Sequence, residues 1–209
     1  MNNKTEFPNL KEERKLFKKG YEYIAGIDEA GRGPLAGPVV AAVVVFKKKN
    51  LGKWLKFGIK DSKKLSAKKR QGLLKVIKKE AIEIKASRVS EKIIDKINIR
   101  QATLLAMRRA FLRLKPSIDF VLIDGKDTLK NLPVNQKAII SGDNQSVIIA
   151  AASIVAKETR DDIMRHYAKK YPEYGFERHK GYGTKMHFEM IKKYGPCKIH
   201  RKSFHLLKD

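Results

Sequence analysis

The spacing of apolar residues along the chain predicts several short strands. Residues 23–27 and 38–46 are rich in Ile, Val and Ala and flank a glycine- and proline-containing turn, which predicts a buried hairpin. Residues 82–89 alternate apolar and polar side chains, which predicts a strand with one buried face. Two shorter apolar runs, at 120–123 and 138–140, predict further strands.

Helical periodicity fills the segments between these strands. The predicted helices are a short exposed one within 9–20 that Gly20 ends, one after Ser66, one that begins at Ser90 as its N-cap, a long one over 146–169, and one over 185–193. The small residues at 150–153 would let the long helix approach a sheet closely. The resulting order of hairpin, helix, strand, helices, two strands and long helix predicts a mixed α/β sheet covered by helices.

Charge and cysteine content narrow the range of partners and compartments. The chain has 209 residues, with 47 Lys and Arg against 22 Asp and Glu, a net charge of +25. A domain this basic commonly binds a polyanion such as nucleic acid, although lysines that merely cover solvated helix faces are an equal alternative. The single cysteine, Cys197, excludes a disulfide framework, and its Gly-Pro-Cys-Lys turn favours a structural role. The sequence shows no secretory signal, no membrane-length apolar run and no dimerisation stripe, so we expect a cytoplasmic monomer.

Acidic residues are scarce, and several follow predicted strands. Asp28 and Glu29 follow the first strand, Asp124 follows a later one, and Asp143 stands between the last short strand and the long helix. Each alone is typical of a turn or N-cap. Together, at the ends of neighbouring strands, they predict a carboxylate cluster that holds Mg²⁺ or Mn²⁺ against a phosphate, and two such ions can activate water and stabilise a leaving oxygen. Since adjacent strand residues point to opposite faces, Asp28 and Glu29 would share a metal only if the strand breaks there.

Two glycine-containing segments are candidates for substrate contacts. Gly31, Arg32 and Gly33 form either a plain hairpin turn or a loop whose backbone N–H groups approach a phosphate or a sugar hydroxyl. The segment HKGYGTKMH at 179–187 places Tyr182 between glycines and close to lysines, so the ring either packs on a sugar or base or covers the core. The histidines of the chain lack zinc-finger spacing with cysteine.

Several motifs, in a fixed order, resemble those of the type 2 ribonucleases H, the ribonuclease HII family. They cover most of the chain after Tyr21 and are GIDEAGRGPLAGPVV at 26–40, DSKKLS at 61–66, VLIDG at 121–125, GDNQSVIIAAASIVAKETRD at 142–161, HKGYGTKMH at 179–187 and GPCKIHRKSF at 195–204. The resemblance implies an RNase H-like fold, a five-stranded mixed sheet flanked by helices. We therefore expect a catalytic domain at 21–170 and a C-terminal helical region at 171–209 that contributes to substrate binding. Residues 1–20, which the resemblance does not cover, are expected to form a helical N-terminal extension.

The resemblance implies endonucleolytic hydrolysis of RNA in RNA–DNA hybrids and incision at ribonucleotides embedded in duplex DNA, leaving 5′-phosphate and 3′-hydroxyl ends. By motif, Asp28, Glu29 and Asp124 match three catalytic metal ligands and Asp143 the fourth. Ser141 stands where the family often has a basic residue, so Asp161 is the alternative fourth ligand, although we favour a helix-face ion pair for it. Gly31, Arg32, Gly33 and Tyr182 match the family's ribonucleotide sensor. Lys180 and Lys185, in the same basic segment as Tyr182, are further candidates for substrate contacts. Whether the C-terminus recruits a replication clamp stays open.

Two other functions compete with this interpretation. A basic nucleic-acid-binding module without catalysis fits the composition, but it gives no reason for acids at three strand ends beside glycine turns. A metal nuclease of the same fold that cuts all-DNA substrates such as junctions is the second. Dependence on divalent metal separates the first from a ribonuclease H, and cleavage of an all-DNA duplex separates the second.

Overall fold

A mixed five-stranded sheet forms the centre of the computed structural model, which describes residues 8–48, 51–59, 62, 65–115 and 117–206. Its strands are β1 (Tyr23–Ala30), β2 (Val39–Lys47), β3 (Glu83–Val89), β4 (Phe120–Asp124) and β5 (Asn135–Ile139). They lie in the order β3-β2-β1-β4-β5. The pairs β1–β2 and β2–β3 are antiparallel, and β1–β4 and β4–β5 are parallel. The mixed sheet that the sequence predicts is confirmed.

Helices cover both faces of this sheet. They are α1 (Lys11–Lys18), α2 (Leu51–Lys56), α3 (Ala67–Glu80), α4 (Glu91–Phe111), α5 (Val147–Lys170), α6 (Phe176–His179) and α7 (Lys185–Tyr194). The short helices α2 and α6 were not predicted. Helix α4 is interrupted at Asn98, which has φ +64° and whose side chain accepts a hydrogen bond from the N–H of Gln101. The hydrophobic periodicity did not predict this interruption.

The long helix α5 lies directly against the centre of the sheet. Its residues at 150–152 are alanines with no solvent exposure, as the prediction of a close approach requires. On the sheet side, Gly26 leaves room for the helix, since a Cβ at this position would lie 2.6 Å from the backbone carbonyl carbon of Ile148. Helix α4 covers the opposite face, where Ala102, Ala106 and Ala110 are fully buried.

Two strand boundaries differ from the predictions in a way that matters for the site. β1 continues to Ala30, three residues past its predicted end. β5 begins at Asn135, earlier than the predicted 138, because its first residues alternate between exposed and half-buried positions on an edge strand and therefore carry polar side chains.

The prediction that α1 is an exposed helix was wrong. Leu16 and Phe17 are buried in the core on the α5 side of the sheet, and Glu13 on the same helix face is fully buried. The backbone before the helix also pairs with the main body, since Asn9 forms an isolated parallel bridge with Ser146. Residues 1–7 of the proposed N-terminal extension lie outside the described part of the chain.

The helices near the C-terminus pack against the loop between β1 and β2. Their core contains Phe176 and Ile191 together with Leu35 and Ala36 of that loop and Met164 of α5. This arrangement places the 179–187 segment beside the first glycine turn. In the residues that the structure describes, no helix has the length and apolarity needed to cross a membrane.

Candidate active site

Three of the four predicted acidic residues meet at the end of β1. Asp28 and Glu29 belong to this strand and Asp124 is the last residue of β4. Each offers a carboxylate oxygen, and the three oxygens lie within 4.8 Å of one another. The cluster that the strand-end acids predicted is therefore present.

The expectation that β1 breaks between Asp28 and Glu29 was wrong. β1 remains paired with β2 through Ala30, with Asp28 opposite Ala42 and Glu29 opposite Ala41. On its other side, β1 pairs with β4 only as far as Ile27. The edge of β1 is thus open at Asp28 and Glu29, and side chains from opposite faces of the strand can reach the same point around it.

Burial and mutual repulsion make the cluster unfavourable as an isolated set of charges. Burial raises the pKa of Asp28 well above its ordinary value, and the neighbouring charges of Glu29 and Asp124 raise it further. Burial also raises the pKa of Glu29, as does Asp124, while Arg32 opposes the shift from 3.4 Å. A divalent cation would relieve this repulsion, and carboxylate oxygens are the ligands that Mg²⁺ and Mn²⁺ prefer. The residues present therefore fit a metal site.

Helix α5 supports Asp28 from behind. The hydroxyl of Ser153 is a hydrogen-bond partner of the Asp28 carboxylate, and its Oγ lies 2.9 Å from Oγ of Ser62. Ser62 belongs to the DSKKLS segment, of which Asp61, Lys63 and Lys64 lie outside the described residues. Neither serine was predicted from the sequence to belong to the site.

Asp143, the fourth predicted acid, is not one of the three residues that form the cluster. It is buried in a short 3₁₀ turn at 142–144, and Asn144 donates a hydrogen bond to its Oδ1 at 3.0 Å. The N–H of the preceding Gly142 donates to Asp124 Oδ1 at 2.6 Å. The turn that carries Asp143 is thereby tied to the third carboxylate.

Asp161, the alternative fourth ligand, forms ion pairs on α5. Its carboxylate lies 2.5 Å from Lys157 Nζ, one helical turn away, and 3.4 Å from a guanidinium nitrogen of Arg70. Arg70 also pairs with Glu158 at 2.6 Å. This is the helix-face pair that we favoured for Asp161.

The structure brings the first glycine turn and Tyr182 together. A Cβ on Gly33 would lie 3.9 Å from Cε1 of the Tyr182 ring. The ring is 41% exposed, which favours a contact surface over a role in covering the core. Arg32 is exposed, and its side chain reaches Glu29.

Two buried arginines, which sequence reasoning missed, fasten these loops to each other. Arg201 donates to the carbonyl oxygens of Gly31, Arg32 and Gly37 at 2.6, 2.9 and 3.0 Å.

The second buried arginine, Arg160, donates to the carbonyl oxygens of Ala36, Pro38 and Lys180 at 3.1, 3.1 and 3.0 Å. Both guanidinium groups are at most 1% exposed, and burial lowers the pKa of each. The ETRD and HRKSF motifs contain them, but nothing in the sequence shows that their partners are carbonyls.

Three buried histidines hold the backbone around Tyr182. Gly181 N–H donates to His179 Nδ1 at 3.1 Å, so His179 carries its proton on Nε2, which faces the Tyr174 carbonyl at 2.8 Å. Cys197 N–H donates to His200 Nδ1 at 2.9 Å, so His200 donates from Nε2 to His187 Nε2 at 3.1 Å. His187 in turn donates from Nδ1 to the Tyr182 carbonyl at 2.9 Å. All three rings are therefore neutral.

Burial is the cause of this neutrality. It lowers the pKa of His187 to about 4 and that of His200 to about 4, and neighbouring histidines oppose a charge on either ring. These rings hydrogen-bond to one another and to nearby backbone groups, which is a structural role.

The two lysines predicted to contact substrate have different surroundings. Lys180 ends α6 with φ +52°, and its Nζ donates to the carbonyl of Glu177 while its own carbonyl accepts from Arg160. Lys185 is the exposed first residue of α7. A cleft of about 350 Å³ lies between the carboxylates and α4. It is lined by Glu29, Arg32, Arg100, Thr103, Leu104, Met107, Asp124, Gly125, Lys126, Asp127 and Ile140.

Comparison with known proteins agrees with this architecture. Residues 25–207 match the family model described as Ribonuclease HII. The ribonuclease HII of Endomicrobium trichonymphae is 53% identical over 197 residues, which cover 94% of this chain and 92% of that protein. The ribonuclease HII of Caldicellulosiruptor bescii is 53% identical over 192 residues, which cover 92% and 91%.

Solved structures show the same fold. The ribonuclease H2 of Pyrococcus horikoshii OT3 superposes with a TM-score of 0.77 at 28% identity, covering 88% of this chain and 94% of that one. The RNase HII of Archaeoglobus fulgidus, solved in a complex with PCNA, gives a TM-score of 0.74 at 27% identity and coverages of 89% and 96%. Bst-RNase HIII, solved with Mn²⁺, shares the fold alone, at 16% identity and a TM-score of 0.72.

The sheet, its helices and the carboxylate cluster define an RNase H-like enzyme of the hydrolase class. The chain belongs to the ribonuclease HII family. Its activity is that of a ribonuclease H, an endonuclease that acts on the RNA of RNA–DNA hybrids, in a family that depends on divalent metal.

Proposed function

We propose that this ribonuclease H cuts the RNA strand of hybrids and also incises on the 5′ side of ribonucleotides embedded in duplex DNA. The observation that carries the proposal is the meeting of Asp28, Glu29 and Asp124 within 4.8 Å, at the end of the strand β1 that leads into the Gly31–Gly33 turn. The carboxylates and the turn that carries the sugar-facing groups thus share one strand end, and recognition and chemistry can act on adjacent nucleotides.

The proposed metal ligands are Asp28, Glu29 and Asp124, with Asp143 as the fourth, and the ions are Mg²⁺ or Mn²⁺, two during catalysis. Bound there, these cations supply the Lewis acidity that activates a water and stabilises the departing 3′-oxygen. The residues of the chain hold the ions and keep the scissile phosphate in line. The products carry 5′-phosphate and 3′-hydroxyl ends, and no covalent enzyme intermediate is required.

Recognition of the ribonucleotide is proposed to come from Gly31, Arg32, Gly33 and Tyr182. The 2′-hydroxyl distinguishes RNA from DNA, and backbone groups of a glycine turn can approach it closely. Tyr182 would pack against the adjoining sugar and favour a deoxyribose on the 3′ side. Arg32, Lys180 and Lys185 would contact phosphates, together with other cations of a chain whose net charge is +25.

The test uses a labelled DNA duplex with one ribonucleotide, an RNA–DNA hybrid and an all-DNA duplex, each in Mg²⁺ and in Mn²⁺. We expect metal-dependent nicking 5′ of the ribonucleotide and cleavage of the hybrid, both lost in Asp124→Asn. Asp162→Asn is the matched control, since this exposed carboxylate on α5 pairs with Arg165 and with no other cation among the described residues. Binding without cleavage in either metal would overturn the proposal, and cutting of the all-DNA duplex would indicate the junction-nuclease alternative.

A sliding clamp is a candidate protein partner, which a separate binding experiment can test. The Archaeoglobus fulgidus RNase HII was solved in a complex with PCNA. Residues 207–209 of the present chain lie outside the described part. Binding of the full chain to the clamp of its own organism, measured by calorimetry, would decide whether the interaction occurs here.

A further inference from the structure

The N-terminal segment that contains α1 contacts the turn between β5 and α5, beside the carboxylate cluster. Asn9 N–H donates to the Gln145 carbonyl at 3.3 Å, and Val147 N–H donates back to the Asn9 carbonyl at 3.3 Å. The helix precedes residue 25, where the matched part of the family model begins. Its contribution is thus separate from the motifs that define the family.

Glu13 is the buried residue through which α1 contacts this turn. Its side chain is fully buried, and its Oε1 accepts hydrogen bonds from Ser146 Oγ at 2.7 Å and from Ile148 N–H at 3.1 Å. Ser146 is the N-cap of α5, and its Oγ accepts from Ile149 N–H at 3.2 Å. Glu13 therefore fixes both the cap and the first turn of the helix that supports the site.

Short hydrogen bonds connect this cap to the carboxylate cluster. Ser146 N–H donates to the Gly142 carbonyl at 2.8 Å, and Gly142 N–H donates to Asp124 Oδ1 at 2.6 Å. Gly142 is closely packed, because a Cβ there would lie 2.6 Å from Ile149 Cδ1 and 3.3 Å from Asp124 Oδ1. A displacement of the start of α5 would therefore displace the turn at 142–144 and the oxygen of Asp124.

We propose that Glu13 is a positioning residue of the metal site, which acts through Ser146 and Gly142 to orient Asp124 and the turn that carries Asp143. The inference rests on the proposed function, in which these carboxylates hold the metal. Groups that orient metal ligands commonly change metal affinity by roughly 10–100-fold when they are removed. A residue of α1 thus contributes to metal binding without touching the metal.

The chemistry of Glu13 offers a discriminating pair of substitutions. The function requires an acceptor at Oε1, and a glutamine retains that oxygen at the same distance along the side chain. A leucine fills a similar volume but leaves the hydroxyl of Ser146 and the N–H of Ile148 without this acceptor. Burial raises the pKa of Glu13, so a neutral side chain is compatible with the position. Glu13→Gln should preserve the site, and Glu13→Leu should not.

The matched control is the neighbouring Glu12 on the same helix. Its carboxylate pairs with Lys137 at 2.5 Å and Lys15 at 3.2 Å, and among the described residues it has no hydrogen bond or ion pair with α5. Glu12→Leu makes the same substitution at the adjacent position of α1. It should lower stability slightly and leave metal binding unchanged.

Binding of Mn²⁺ to the metal-free full-length protein is measured by titration calorimetry, well below the lowest melting temperature of the set. We expect Glu13→Leu to weaken Mn²⁺ binding by about 10-fold, with Glu13→Gln and Glu12→Leu close to the unmodified protein. In steady-state assays, Glu13→Leu should raise the Mn²⁺ concentration needed for half-maximal rate and lower kcat, while KM for the hybrid stays unchanged. If Glu13→Leu does not fold, Ser146→Ala tests the same connection.

Two results would overturn the inference while leaving the proposed function intact. One is a Glu13→Leu protein with a lower melting temperature but unchanged Mn²⁺ affinity, which would show a purely structural role. The other is a Glu13→Gln protein as impaired as the leucine variant, which would exclude the acceptor as the cause. Failure of the unmodified protein to bind Mn²⁺ or to cut any ribonucleotide-containing substrate would instead remove the proposed function itself.

Discussion

Arg201 donates a hydrogen bond to the carbonyl oxygen of Gly31 at 2.6 Å, although the two residues are 170 positions apart in the sequence. Gly31 has φ +98°, a conformation that favours glycine, and a Cβ there would lie 2.1 Å from Arg160 Nε. The turn proposed to detect the 2′-hydroxyl is therefore held from outside by Arg201, which donates to the carbonyls of Gly31 and Arg32. Arg160 packs against Gly31 and donates to carbonyls just beyond the turn. Arg201, near the C-terminus, thus supports the turn near the N-terminus that is proposed to recognise the ribonucleotide.

Arg201→Lys should reduce selectivity for ribonucleotides. A lysine ammonium cannot occupy three separated carbonyls as a planar guanidinium does, and hydrogen bonds from charged groups contribute about 1.5–3 kcal/mol each. We expect kcat/KM on a single-ribonucleotide duplex to fall by about 10-fold or more, equivalent to at least ~1.4 kcal/mol, with metal binding retained. The measurement compares cleavage kinetics with Arg165→Lys, since the Arg165 side chain forms a surface ion pair with Asp162. Equal kinetics for the two variants would refute the positioning role.

Tyr182→Ala should lower incision at embedded ribonucleotides, whereas Tyr182→Phe should retain most of it. The exposed ring faces Gly33, and the proposed contact uses its surface and not its hydroxyl. An aromatic contact with a nucleotide contributes about 1–3 kcal/mol, so the alanine variant should lose roughly 10-fold in kcat/KM. Tyr194→Ala, which removes another exposed tyrosine from the same region, is the control. A phenylalanine variant as impaired as alanine would instead assign the role to the hydroxyl.

Asp28→Asn should abolish cleavage and stabilise the metal-free protein at neutral pH. The pKa of Asp28 is raised by burial and by the charges of Glu29 and Asp124, so the folded state holds a proton more tightly than the unfolded state. Stability from this group is fully present below its unfolded pKa and is lost as pH rises through the folded value. Removing the charge should raise Tm by about 2–4 °C per kcal/mol regained.

The pH dependence of Tm, measured in chelator and then in saturating Mn²⁺, checks this prediction. The gain from Asp28→Asn should shrink as pH falls and should disappear in Mn²⁺, because the ion compensates the charge that the substitution removes. Asp95→Asn provides a control of opposite sign. Burial raises the Asp95 pKa, but hydrogen bonds from Ser203 and from Lys202 N–H outweigh it, so the net shift is downward. A destabilised Asp28→Asn protein at pH 7 would contradict the prediction.

Protonation of the buried histidines should destabilise the C-terminal region in acid. The pKa values of His187 and His200 are lowered to about 4, so between the ordinary value of 6.5 and about 4 the unfolded state binds more protons than the folded state. Stability from these rings is present above 6.5 and falls as pH decreases through this window. Tm should therefore decline more steeply with acid in the unmodified protein than in His187→Gln, while exposed His205→Gln should leave the slope unchanged. Parallel slopes for all three proteins would exclude the histidines as the cause.

Local patterns were sufficient for most elements but not for their ends. The strand β2 and the close packing of α5 were predicted because the valine-rich run and the small residues that cause them lie within the elements themselves. The predicted exposure of α1 failed because the partners of Leu16 and Phe17 come from distant segments. The extension of β1 past Asp28 depends on pairing with β2, which periodicity within β1 does not encode.

The sequence by itself determined the acidic residues, the glycine turn and their order along the chain, because these residue types are required locally, at strand ends and tight turns. It also carried the motifs that identify the ribonuclease HII family. Only the tertiary structure decided how Asp28 and Glu29 meet on an unbroken strand, and that Arg160, Arg201 and three histidines hold the loops around Tyr182. Carbonyl acceptors and open strand edges belong to the backbone, which is the same for nearly every residue type. The sequence therefore does not show which carbonyl a distant arginine or histidine will contact, and only the packed structure does.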